Sequence, residues 1–210
     1  MISLYDILEY IGTFAFAFSG IRLAANKDFD LFGAYVVGFV TAIGGGTIRD
    51  LLLGLPPFWM SKPDYLLCTA AALVFVIVFR NYLDRLNNTF FIFDTIGLAL
   101  FTVVGIGKTL SPELSHEFPF WVAIIMGTIT GAAGGIMRDI LINEIPLIFR
   151  KEIYALACII GGLCYYACVC MEINPHITPI ISAVSVALTR IIAVKFQIGL
   201  PLIKKGEKNL

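Results

Sequence analysis

Hydrophobic positions along the chain gather into long unbroken runs, without the strict alternation of half-buried strands. A transmembrane helix needs about 20 apolar residues, and scanning for that length predicts seven spans, at 4–24, 31–53, 65–83, 90–109, 118–141, 154–171 and 177–198. Polar positions collect in short connections such as "RNYLDRLNN" from Arg80 and "SPELSHE" from Ser111, none long enough to be a soluble domain. The expected fold class is therefore an all-α integral membrane protein, with residues 1–210 as a single membrane domain. Its function has to reside within the helix bundle.

Composition sharpens this picture. The chain is 59% hydrophobic and 14% charged, against roughly 45–50% apolar and about 25% charged for a soluble domain. Net charge is zero and the basic residues form no long run, so no nucleic-acid partner is expected. The start, "MISLYDILEY", carries Asp6 and Glu9 where a signal peptide would be basic, so the first span is expected to be retained. Cys68, Cys158, Cys164, Cys168 and Cys170 form no CxxC pair, and His116 and His176 lie in polar connections. No metal, cofactor or enzymatic activity is expected. Arg22, Lys27, Arg80, Arg85, Arg150, Lys151, Lys195, Lys204, Lys205 and Lys208 fall on one side of the predicted bundle, and Lys62 and Lys108 on the other. The positive-inside rule then puts the amino terminus outside and the basic tail, 199–210, in the cytoplasm. That tail offers a contact for anionic lipid, although the positive-inside bias alone accounts for it.

The chain also repeats itself. "AIGGGTIRDLL" from Ala42 returns as "GAAGGIMRDIL" from Gly131, with Gly45, Gly46, Arg49 and Asp50 matching Gly134, Gly135, Arg138 and Asp139 at an offset of 89 (138 − 49). The same offset pairs Gly38 with Gly127, Thr41 with Thr130, Pro57 with Pro146 and Tyr65 with Tyr154. Upstream, Glu9, Ile11, Gly12 and Gly20 match Asp94, Ile96, Gly97 and Gly105 at an offset of 85 (94 − 9), so one loop differs in length. Each unit, 4–83 and 90–171, holds three spans. An odd number forces the second copy to enter the membrane upside down, which predicts an inverted three-plus-three repeat with 177–198 as a seventh helix. In such folds the transport site usually lies at the repeat interface near the midplane.

The paired motifs put weak helix formers and charges at that depth. Glycine costs about 1 kcal/mol relative to alanine in a helix interior, so Gly44, Gly45, Gly46, Gly134 and Gly135 are expected to break the second and fifth helices. Carbonyls freed there could replace part of a cation's hydration shell, helped by the hydroxyls of Thr41, Thr47, Thr128 and Thr130. Alternatively, the glycines only permit close helix packing. Arginine and aspartate cost roughly 2.5–3.5 kcal/mol each at the membrane centre, so they pair or line water. Matching depths predict Glu9–Arg49 and Asp94–Arg138 pairs, with Asp50 and Asp139 at the interface; locking helices and conducting ions both fit these residues. Arg190, deep in the seventh span, is expected to snorkel to the cytoplasmic side.

On these residues, seven spans, the inverted repeat and "GGGTIRD" with "AGGIMRD", the chain resembles the prokaryotic trimeric intracellular cation (TRIC) channels over nearly its whole length. The resemblance implies a homotrimer in the cytoplasmic membrane. Each protomer would carry a water-filled pore lined by the second and fifth helices and pass monovalent cations, chiefly K+ and in second place Na+. Ala133 stands where the first copy has Gly44, implying a gentler second break. The same family has been labelled as glycine transporters, and broken helices at a repeat interface also suit a secondary transporter of a small neutral solute.

Overall fold

The computed structural model describes residues 3–83, 85–86, 88–114 and 116–201; from residue 202 the basic tail lies outside them. The regular structure of the described residues is helical, with short 3-10 turns and irregular connections between helices and one isolated bridge between Glu152 and Gly199. The helices are α1 (Leu4–Ala25), α2 (Leu31–Leu52), α3 (Asp64–Val78), α4 (Arg80–Leu83), α5 (Thr89–Thr109), α6 (Phe120–Leu141), α7 (Ala155–Cys170) and α8 (Thr178–Lys195).

Local chemistry sets their ends. Ser3 and Asp6 form a reciprocal capping box at the start of α1. Asp30 caps α2 by accepting the Gly33 N–H at 2.6 Å, and α8 opens with a proline in its first turn. The span expected at 65–83 divides at Phe79, where the apolar run gives way to polar residues and α4 begins. Five helices (α1, α2, α5, α6 and α8) are long and apolar enough to cross a membrane. Helices α3 and α7 are apolar but only 15 and 16 residues long, roughly 23 Å of helix against a hydrocarbon core of about 30 Å.

Helices α1, α2, α6 and α5 pack as a central ring, each against the next. Helix α3 flanks α1 and α2, while α7 and α8 flank α6 and α5. The outward faces of the flanking helices are apolar, with Leu67, Val74, Leu163, Val169, Val184 and Leu188 each about half exposed or more.

The expected helix breaks are absent: α2 runs through Gly44, Gly45 and Gly46, and α6 through Gly134 and Gly135, without interruption. Close approach explains the glycines instead. A Cβ on Gly45 would collide with the Thr130 carbonyl oxygen, and a Cβ on Gly134 with that of Thr41. These contacts, 41 with 134 and 45 with 130, also set α2 and α6 antiparallel. The propensity penalty of glycine is thus overridden by packing that no larger residue allows.

Candidate functional site

Two clusters of buried charge lie at opposite ends of the α2–α6 crossing. In the first, Arg49 Nε donates to Asp50 Oδ1 at 2.8 Å and Arg49 Nη2 lies 3.5 Å from Glu9 Oε1. Tyr65 donates its hydroxyl to Glu9 Oε2 at 2.7 Å, and the Lys108 ammonium sits 2.9 Å from Asp50 Oδ1. The second cluster repeats the arginine, the two acids and the tyrosine, without a lysine. Arg138 pairs with Asp94, its Nε donates to Asp139 Oδ1 at 2.9 Å, and Tyr154 lies 3.5 Å from Asp94 Oδ1. Arg49, Asp50, Asp94 and Arg138 are fully buried. Such groups persist at membrane depth only when paired, because desolvation costs each ion several kcal/mol. The Arg–acid pairs expected from depth, Glu9 with Arg49 and Asp94 with Arg138, are therefore both brought together.

The aspartates of the motif have a local task. Asp50 Oδ2 accepts the Phe58 N–H at 2.8 Å, and Asp139 Oδ2 accepts the Leu147 N–H at 3.0 Å. Each carboxylate thereby holds the 3-10 turn that follows its helix, at positions again 89 apart (147 − 58). Gly54 and Asn143, also 89 apart, adopt the left-handed conformation that ends α2 and α6.

Arg190 departs from expectation. It does not snorkel: it is 1% exposed, with Nη2 3.2 Å from Asp94 Oδ2 and Nη1 3.3 Å from Glu152 Oε2. Its guanidinium also lies 4.7 Å from the Tyr154 ring centroid. The desolvated Asp94 carboxylate attracts it more strongly than the interface does, and α8 is thereby tied to the charge cluster. Ser19 adds a hydroxyl 3.1 Å from Arg138 Nη1. Lys108, Ser19, Glu152 and the two tyrosines were not singled out as site residues by sequence. Only Tyr65 and Tyr154 carried a signal, their match at offset 89.

The predicted threonines donate their hydroxyls to carbonyls four residues back on their own helices: Thr41 to Val37, Thr47 to Ile43, Thr128 to Ile124 and Thr130 to Met126. Their protons are committed to the helix.

A cavity of about 440 Å³ opens beside the first cluster, lined by Tyr5, Glu9, Phe58, Tyr65, Val104 and Lys108 among others. A second, of about 310 Å³, opens beside the other cluster and is lined by Leu23, Lys27, Phe90, Asp139, Glu144 and Leu147 among others. Several lining residues correspond across the repeat offsets: Tyr5 with Phe90, Phe58 with Leu147, and Lys108 with Leu23. Across the mouth of the second cavity, Lys27 Nζ pairs with Glu144 Oε1 at 2.6 Å, and Arg150 Nη2 with Glu144 Oε2 at 3.3 Å. Lys27 beside it holds the Glu144 carboxyl below the usual glutamate range. None of the nine residues expected along an ion path is among the residues lining either cavity; Thr41, Gly44, Gly45, Thr130 and Gly134 meet in the α2–α6 crossing, while Gly46 faces Phe58, Gly135 faces Tyr154 and Thr47 accepts from Trp59.

Comparison with known proteins agrees with this architecture. A family model described as glycine transporter matches residues 6–81 and again 91–169, segments whose starts lie 85 apart (91 − 6). The inner membrane protein YadS of Escherichia coli K12, a UPF0126 protein, is 39% identical over 208 residues, covering 96% of this chain and 97% of its own. A UPF0126 membrane protein of Vibrio cholerae is 40% identical over 203 residues, covering 95% of this chain and 82% of its own. Among solved structures, the TRIC channel orthologue of Rhodobacter sphaeroides superposes with a TM-score of 0.85 at 31% identity, over 93% of this chain and 99% of that one. A TRIC cation channel whose structure bears on conductance superposes at 0.82 with 35% identity, over 97% and 98%. The chain belongs to this family of multi-pass membrane proteins, which unites the UPF0126 proteins with the TRIC channels.

Proposed function

We propose that the protein is a passive channel for monovalent cations, chiefly K+, assembled as a homotrimer in the inner membrane with a pore through each protomer. The observation that carries this reading is the pair of charge-flanked cavities at opposite ends of one antiparallel helix crossing. Two such vestibules, built from matching residues of an inverted three-plus-three repeat, are what a path across the membrane requires when a pseudo-twofold axis in the membrane plane exchanges its two ends. Acids and bases border both in equal number, Asp6 and Glu9 with Lys62 and Lys108 at the first and Asp139 and Glu144 with Lys27 and Arg150 at the second, so the preference for cations in this reading comes from the family and not from the charge of the linings. The positive-inside rule puts the first vestibule outside and the second in the cytoplasm. On this reading the pore runs between α1, α2, α5 and α6, and the glycines set the helix crossing without supplying a ring of free carbonyls. The family's membership of TRIC cation channels supports the same class.

A second reading, a transporter of a small neutral solute such as glycine, draws on the description of the family model and on the closed crossing, which fits alternating access. Recording the purified protein in a planar bilayer under a KCl gradient separates the two. A channel gives unitary ohmic currents reversing near the K+ equilibrium potential. Saturable glycine counterflow without unitary current overturns it.

A further inference from the structure

Phe16 and Phe101 lie 85 residues apart (101 − 16), the offset that relates the first helices of the two repeats. They stack on each other, with ring centroids 5.3 Å apart and planes inclined by 26°. Each is only 1% exposed, and each lies on a glycine of the opposing helix. A Cβ on Gly97 would collide with the Phe16 ring, and one on Gly12 would meet the Phe101 ring at 3.3 Å. Gly12 and Gly97 are themselves related by the same offset, so the contact is reciprocal. It also sets α1 antiparallel to α5.

The helical period connects this pair to both cavities. Phe101, Val104 and Lys108 share one face of α5 at i, i+3 and i+7, and the last two line the first cavity. Phe16, Ser19 and Leu23 share the corresponding face of α1, and Leu23 lines the second cavity. Both stripes start from the stacked rings and lead away in opposite directions, toward Glu9 at one end and Phe90 at the other. Phe16 also reaches the glycine crossing, 3.5 Å from where a Cβ on Gly134 would stand.

We propose that the stacked Phe16–Phe101 pair is the barrier between the two vestibules, an apolar constriction on the pseudo-twofold axis that opens when the rings leave their glycine seats. It rests on the channel reading. A dry ring-against-ring contact excludes water and hence hydrated ions, and hydrophobic constrictions gate by such dewetting. Gly12 and Gly97 provide the room in which the rings lie.

The experiment has two arms, both on assembled protein. In bilayers, Phe16→Ala and Phe101→Ala should each raise open probability or unitary conductance by about threefold or more. Phe16→Leu, which keeps most of the volume, serves if the alanine variants assemble poorly and should raise it less. In the second arm Val104→Cys and Leu23→Cys are made in a background without the native cysteines and probed in vesicles with a charged, membrane-impermeant thiol reagent. With both phenylalanines present each cysteine should react from one side only, and with Phe16→Ala or Phe16→Leu from both. The proposal is overturned if the phenylalanine variants conduct like wild type and each cysteine keeps its sidedness. Should wild type pass no current at all, the channel reading fails while the thiol arm still decides whether the rings form a barrier.

Discussion

Asp94 holds two guanidiniums, Arg138 on one oxygen and Arg190 on the other, whereas Glu9 holds Arg49 and the hydroxyl of Tyr65. That difference separates the two ends of the molecule experimentally. Losing one partner of a buried pair typically costs about 3–5 kcal/mol, so Arg49→Ala and Arg138→Ala should each lower the unfolding temperature in detergent. Adding Glu9→Gln to Arg49→Ala should recover part of the loss, because it removes the carboxylate that lost its arginine, while Asp50 keeps Lys108. Adding Asp94→Asn to Arg138→Ala should recover little, because Arg190 then loses its buried partner and keeps only the partly exposed Glu152. Equal recovery in both double variants would contradict the assigned partners. The acid–arginine pairs were legible because residues of opposite charge recur at matching depth in both copies of a repeat. The roles of Tyr65, Tyr154 and Lys108 were not, since they depend on side-chain direction across helices, which spacing along one helix does not encode.

At the scale of the elements, the glycine motif separates positions that sequence treats alike. Gly45 and Gly134 face backbone, the carbonyls of Thr130 and Thr41, whereas Gly44 faces the side chain of Met137. Backbone cannot yield without moving a helix, but a methionine can change rotamer. Gly45→Ala and Gly134→Ala should therefore push α2 and α6 apart and cost about 2 kcal/mol or more, as overpacking does, visible as a lower melting temperature and lower yield of assembled protein. Gly44→Ala should cost well under half as much. A Gly45→Ala protein as stable as wild type would mean that the crossing is looser than this geometry. Sequence gave the helices themselves readily, through long apolar runs. The continuity of α2 and α6 was hidden, because helix propensity is a weak prior that a tight crossing overrides. The division of the third span at Phe79 was hidden too, since no proline or glycine marks it.

On the scale of the whole molecule, the repeat was legible from two copies of one motif, while the attachment of α8 was not: Arg190 belongs to no repeat, and only the fold carries it to Asp94. Both cavities and the stacked rings are built from a single chain: α1 and α5 contribute to each cavity, joined at the first by the segment after α2 and at the second by the end of α6 and the segment after it. On the proposed channel reading, a path joining the two cavities needs no residue from a neighbour, and assembly into a trimer would multiply pores without creating one. The consequence can be counted. In trimers carrying Val104→Cys in an otherwise cysteine-free background, a bulky charged thiol reagent should abolish current in discrete steps, each removing a third of the total as one protomer is modified. Trimers mixed from Val104→Cys and unmodifiable protomers should retain the share belonging to the unmodified subunits. A pore shared on the trimer axis behaves differently, because the first modification narrows the common path and the remaining current falls unevenly. Loss of all current in a single step would move the ion path from the protomer to the trimer axis.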